Sequence, residues 1–212
     1  MKIRLNIIFI ILLLFSMFLI FPRSTHADTG SYQISASSDD VNQDGTALTT
    51  NSTSLWVGTG QDTTASYLGL RFTNINIPQH ATITSAKISL YSSQNQWIQV
   101  AYVLAAEKTP DSPTFSSANP PSQRILTGAK VTHNDDTLWQ AGAWYSLDEM
   151  APVLQEVIDQ SAWQSGNSVS FIFTGTGSAW GHKFVNAWDS SAATAPVLTV
   201  TYSTPSPTQT LA

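Results

Sequence analysis

Hydrophobic and polar residues alternate with a period of two along most of this chain. The clearest stretch is residues 66–91, SYLGLRFTNINIPQHATITSAKISLY. Leu68, Leu70 and Phe72 alternate with smaller or polar neighbours. Further on, Ile83, Ser85, Lys87, Ser89 and Tyr91 alternate with Thr84, Ala86, Ile88 and Leu90. Side chains of a strand point to opposite faces in turn, so the pattern predicts two strands joined at a turn around Pro78, each with one buried and one wet face. The same period predicts a first strand at about 31–37 on Tyr32, Ile34 and Ala36. It predicts a short strand on Leu55 and Val57 that ends at Gly58, and another on Val100, Tyr102, Leu104 and Ala106, with Ile98 in phase. Val169, Phe171 and Phe173 form a core strand after the turn Gly166-Asn167, and residues 196–202 close the chain's pattern. Residues 38–53 are rich in Ser, Asp, Asn, Gly and Thr and are predicted to be a loop. Pro110, Pro113, Pro120 and Pro121 exclude a helix or central strand from residues 109–123.

One segment has a different period. Met150, Val153, Leu154, Val157 and Ile158 follow helical spacing and predict a short helix at about 147–160. Ser146 and Glu149 have capping-box spacing, with Asp148 as a competing N-cap, and Pro152 then falls in the first turn. Many short strands, turn residues and one helix predict an all-β fold, a jelly-roll-like β-sandwich, as a single domain over residues 28–203.

The ends change the picture of where such a domain works. Lys2 and Arg4 precede an apolar run of 15 residues at 7–21, followed by Pro22 and the small-residue end Ser24-Thr25-His26-Ala27. This is the layout of a secretory signal peptide, residues 1–27, cleaved after Ala27. The run is shorter than the roughly 20 residues of a membrane span. Residues 204–212 are rich in Thr, Pro and Ser and read as a linker or tail. A secreted or cell-surface location follows. Removing Lys2, Arg4 and Arg23 leaves 6 Lys+Arg against 14 Asp+Glu, a net charge of −8. That balance argues against nucleic acid or an anionic membrane as a partner and suits cations and neutral polymers. The chain has no cysteine, so the core rests on packing alone.

The strand segment also carries a resemblance. Leu70-Arg71-Phe72, Ile77-Pro78, Ala81-Thr82-Ile83 and Ser85-Ala86 resemble the core of secreted bacterial DNRLRE-type modules and their carbohydrate-binding-module-like relatives. Three further pieces agree in order: Ser54-Leu55-Trp56-Val57-Gly58, Val153 to Trp163 with Ser165-Gly166-Asn167, and Trp188-Asp189 with residues 196–202. His80 stands where those modules usually have Gly. The resemblance implies a non-catalytic, monomeric module that binds polysaccharide or cell-surface glycan. A structural or adhesive spacer without a small ligand is the alternative, and a polysaccharide lyase or hydrolase a third reading.

Two residue sets could carry such a role. Asp39, Asp40, Asn42 and Asp44 precede Gly45, and Asp40, Asn42 and Asp44 fall at positions 1, 3 and 5 of a calcium-loop pattern. Position 12 is Asn51 rather than a bidentate acid, so the segment is no EF-hand, and a structural Ca2+ in an irregular loop is the expectation. Asp189 adds a ligand if the fold brings its loop to this one. A solvated Asx-rich loop is the plainer alternative. The second set is aromatic. Sugars stack their C–H faces on rings, and the chain has seven Trp. Trp56 points away from the face of Leu55 and Val57, Trp97 lies at a polar turn, and Trp180 and Trp188 flank a small-residue loop. Trp144, Tyr145 and Trp163 are expected in packing. No Gly-x-Ser-x-Gly elbow and no His-Glu-x-x-His pair is present, and no catalytic residues are assigned.

Overall fold

The computed structural model describes residues 25–205, of which 27–204 form one compact unit. Residues 1–24 and 206–212, which hold most of the expected signal segment and tail, lie outside the described residues. The chain runs through β1 (Thr25–Gln33), β2 (Asp40–Asp44), β3 (Ala47–Thr49), β4 (Ser54–Gly58), β5 (Ser66–Phe72), β6 (Thr82–Tyr91) and β7 (Val100–Ala106). Next come β8 (Val131–Asp135), β9 (Trp144–Ser146), helix α1 (Ala151–Ile158), β10 (Val169–Gly175), β11 (His182–Asn186) and β12 (Val197–Pro205).

These strands make an all-β sandwich. One layer is a six-stranded sheet in the order β3-β2-β5-β10-β7-β8. The other combines the sheet β1-β12-β6-β9 with the pair β11-β4, linked through a bridge between Ser92 and Val185. Leu68, Leu70 and Phe72 from β5 meet Leu55, Val57, Ile88, Leu90, Phe171 and Val200 in one continuous core. Phe72 and Phe171 meet edge-on at 6.0 Å. Trp163 is buried as expected, its Nε1 donating to the Ile77 carbonyl at 2.9 Å. A smaller cluster of Val41, Phe115 and Ile172 covers the outer face of the six-stranded sheet. Gly69 makes this possible: a Cβ there would lie 2.7 Å from the Phe115 ring.

The period-two reading holds in β5 but slips in β6. Ala86, Ile88 and Leu90 are buried in phase, yet Ile83 is buried and Thr84 is exposed. The register explains the slip. Ser85 pairs with Thr201 and Ile83 with Tyr202, so Thr84 is an extra residue in a bulge, and a bulge reverses the faces beyond it.

Several boundaries differ from expectation. The first strand ends at Gln33 rather than running to 37, and residues 38–53 are not a loop but mostly the β2–β3 hairpin. That stretch is polar because β2 spends its side chains on hydrogen bonds to neighbouring backbone. The helix keeps only residues 151–158. Its N-cap is Met150, with no side-chain cap, and the expected box of Ser146 and Glu149 does not form. Ser146 belongs to β9 and Glu149 sits outside the helix, where its carboxylate accepts N–H groups from Ala151 at 3.0 Å and from Ala86 at 2.6 Å.

Candidate functional site

The pair β4–β11 turns an aromatic face outward. Leu55, Val57 and Val185 point into the core, so the alternate residues Trp56, His182 and Phe184 share the opposite face. Trp56 lies 5.3 Å from His182, and Phe184 stands at 89° to the same imidazole at 4.8 Å. His182 Nδ1 donates to the Thr59 carbonyl at 2.8 Å, which fixes the ring. Asn42 fixes Trp56 from below: its Oδ1 accepts the Trp56 N–H and its Nδ2 donates to the Trp56 carbonyl, both at 2.8 Å.

Trp97 and Trp180 extend this face into solvent. Trp97 is 74 % exposed and Trp180 57 %. Each is held through its backbone or its neighbour. Trp180 adopts φ 63°, and its N–H donates to the Gly60 carbonyl at 2.8 Å. Gln96, buried beside Trp97, brackets the Phe184 backbone: Nε2 donates to its carbonyl at 2.8 Å and Oε1 accepts its N–H. The two indoles border one open groove of about 220 Å³, together with Gln94, Asn95, Ile98, His182 and Phe184. Ile98 also lines a larger neighbouring groove of about 610 Å³ that offers Gln99, Asn134, Thr176 and Ser178. Neither groove is lined by Lys or Arg. The nearest cation in sequence, Lys183, points the other way into the protein. Its Nζ donates to the Thr137 carbonyl at 2.6 Å over the Trp139 ring, and burial pulls its pKa down while Asp135 and Asp136 oppose the shift.

The four tryptophans singled out from the sequence therefore separate. Trp97 and Trp180 share a groove, and Trp56 lies half-buried one ring away. Trp188 does not join them; it packs against the core, its N–H donating to Asp40 Oδ2 at 2.7 Å. Trp144, expected in packing, is 44 % exposed and meets Tyr91 edge-on at 5.3 Å. The sequence pattern does not reveal His182 and Phe184, because the Gly- and Ser-rich flank of residues 176–181 hides the short alternation of β11.

The acidic set is distributed rather than gathered. Asp39 pairs with Arg71 at 2.8 Å, Asn42 is committed to Trp56, and Asp44 accepts the N–H groups of Gln61 at 2.9 Å and Asp62 at 2.8 Å. Same-side residues of a strand stand about 6.6 Å apart, so Asp40, Asn42 and Asp44 on β2 do not converge as they would in a calcium loop. Among the described residues no three or more His, Cys, Asp or Glu form a group suited to a metal. The fold does bring Asp189 to Asp40. Burial pushes the Asp40 carboxyl up to about 7; the Trp188 N–H opposes this, and the charges of Asp189 and Asp39 add to it.

No protein-family model matches the chain, and no curated protein matches it. Among solved structures the chain is similar to that titled "Cryo-EM structure of Mud crab tombus-like virus at 3.3 Angstroms resolution", at 8 % identity over 88 % of this chain and 83 % of that one. At a TM-score of 0.32, that likeness carries no weight for fold or function.

Proposed function

We propose that this protein is a secreted, non-catalytic module that binds polysaccharide across Trp97 and Trp180. The observation that carries the reading is the pair of exposed indoles on one groove, in a chain whose other large apolar groups are mostly packed. Exposed apolar groups that cluster beside fixed polar groups mark a binding surface, and indole faces suit the C–H faces of sugars. Gln94, Asn95, Gln99, Asn134 and Ser178 supply amide and hydroxyl groups for sugar hydroxyls. The absence of cations from the groove lining and the net charge of −8 on residues 28–212 favour a neutral polymer. The DNRLRE-like sequence pieces point the same way.

Pull-down on insoluble polysaccharides, followed by titration of the best soluble fragment, tests the reading. Trp97→Ala and Trp180→Ala are each expected to weaken binding about 10-fold, equivalent to ~1.4 kcal/mol, with little change in Tm because both rings are exposed. Binding that survives both substitutions, or no binding to any polysaccharide, contradicts the reading, and the second outcome favours a spacer role.

A further inference from the structure

Among the described residues, His182 is the one titratable side chain that lines either groove beside the exposed indoles. The residue is 8 % exposed. Its Nδ1 bonds the Thr59 carbonyl at 2.8 Å. A carbonyl only accepts, so Nδ1 carries the proton and Nε2 of the neutral ring is a lone-pair acceptor. Nε2 has no protein partner among the described residues, yet it is not sealed in as His133 Nε2 is, so it opens onto the groove that the ring lines. Three rings hold it there: Phe184 at 4.8 Å, Trp56 at 5.3 Å and Trp180 at 6.1 Å. What faces the imidazole carries no charge. β4 supplies Trp56 and Gly58, β11 supplies Phe184, and the groove is otherwise lined by Trp180 and residues 94–98. Lys183 turns inward to Thr137 and Asp135. Asp44 and Asp62, by the turn that follows Thr59, accept the N–H groups of Gln61 and Thr64.

We propose that His182 is the specificity-determining residue of this groove: its neutral imidazole accepts a hydroxyl hydrogen of an uncharged sugar at Nε2, and protonation of the ring releases that sugar. The inference rests on the glycan reading of the Trp97–Trp180 groove and adds to it a named acceptor and control by pH. Two effects act together. Protonation replaces the acceptor lone pair with a second N–H. A sugar laid over the ring also strips its remaining water, and a charge covered in this way is costly with no carboxylate in the groove to pair with it. An uncharged ligand therefore prefers the neutral imidazole. By linkage its affinity falls as pH drops through the range in which histidines gain their proton, about pH 8 to 5.

The test is calorimetric titration of the protein with cellohexaose, xylohexaose, mannohexaose and hexagalacturonate at about pH 8 and about pH 5. Kd for a neutral hexasaccharide is expected to rise about 10-fold at the acid end, the size of one lost hydrogen bond. His182→Phe keeps a ring between Trp56 and Phe184 but lacks Nε2; it is expected to bind about 10-fold more weakly at the higher pH and equally at both. His182→Gln, whose amide accepts without titrating, is expected to bind more tightly than His182→Phe and alike at both pH values. If His182→Phe does not fold, His182→Gln decides. Long-range 1H–15N NMR of the imidazole needs no sugar and should show Nε2 as the unprotonated nitrogen at about pH 8. An Nε2–H tautomer overturns the proposal. So does neutral-sugar binding that is equal at both pH values, or a pH dependence that persists in His182→Phe. Tighter binding of hexagalacturonate than of every neutral hexasaccharide also overturns it. No binding of any hexasaccharide at either pH overturns the glycan reading itself, and this inference with it.

Discussion

His80 and Trp180 both hold a left-handed backbone, at φ 59° and 63°, which costs a bulky residue about 1–2 kcal/mol. At Trp180 the strain has a use: the indole meets the His182 ring edge-on at 6.1 Å beside the groove while the backbone stays tied to Gly60. At His80 the backbone N–H reaches the Ile158 carbonyl at 3.5 Å, a bond that glycine would keep, and the ring makes an exposed contact with Asp159 at 3.5 Å. His80→Gly is therefore expected to stabilise the protein by about 1 kcal/mol, read as a rise in Tm of a few degrees. A lower Tm would show that the His80 ring contributes more than the strain costs. Single residues were legible in the sequence where alternation decides their direction. Trp56 points away from Leu55 and Val57 as the pattern requires. Trp188 was not legible, because its placement depends on Asp40, 148 positions away.

Elements were readable where one period runs unbroken. β5, β7 and β10 follow their patterns, whereas β2 and β11 were hidden by polar or small residues whose reasons lie in other strands. Helix α1 shows how such cross-links act. The Glu156 carboxylate accepts the N–H groups of Ala129 at 2.9 Å and Gly128 at 3.1 Å, tying the approach to β8 onto the helix. Those bonds pull its pKa down to about 2, with Lys108 assisting. A carboxyl depressed in the folded state adds stability above its unfolded value, and that stability is lost as pH falls through the folded value. Glu156→Gln should lower Tm most above pH of about 4.5, and its gap from the parent should close towards pH of about 2. A gap that stays constant with pH would show that the charge on Glu156 is not what holds the segment. Lys108 lies 3.0 Å away but is half exposed, so the backbone bonds dominate rather than the ion pair.

Across the described residues, the sandwich and helix α1 were legible from alternation and spacing, but the layering was not. No local pattern shows that residues 109–123 fold back over the six-stranded sheet and seat Phe115 on Gly69. Gly69→Ala should cost about 1–3 kcal/mol through overpacking, and Phe115→Leu in the same chain should recover part of it. A loss in the double variant equal to the sum of the two single losses would mean the two positions do not interact. The candidate site was half legible for the same reason. Exposed Trp97 and Trp180 lie 83 positions apart in sequence, and only the pairing of β11 with β4 and the Gln96–Phe184 bonds bring them to one groove. The most direct test is two-dimensional NMR of the indole N–H groups, one signal for each of the seven Trp, during titration with a polysaccharide fragment that the protein retains in pull-down. The signals of Trp97 and Trp180 should shift together and saturate together while buried Trp163 stays fixed. Saturation with both signals unmoved would contradict the account.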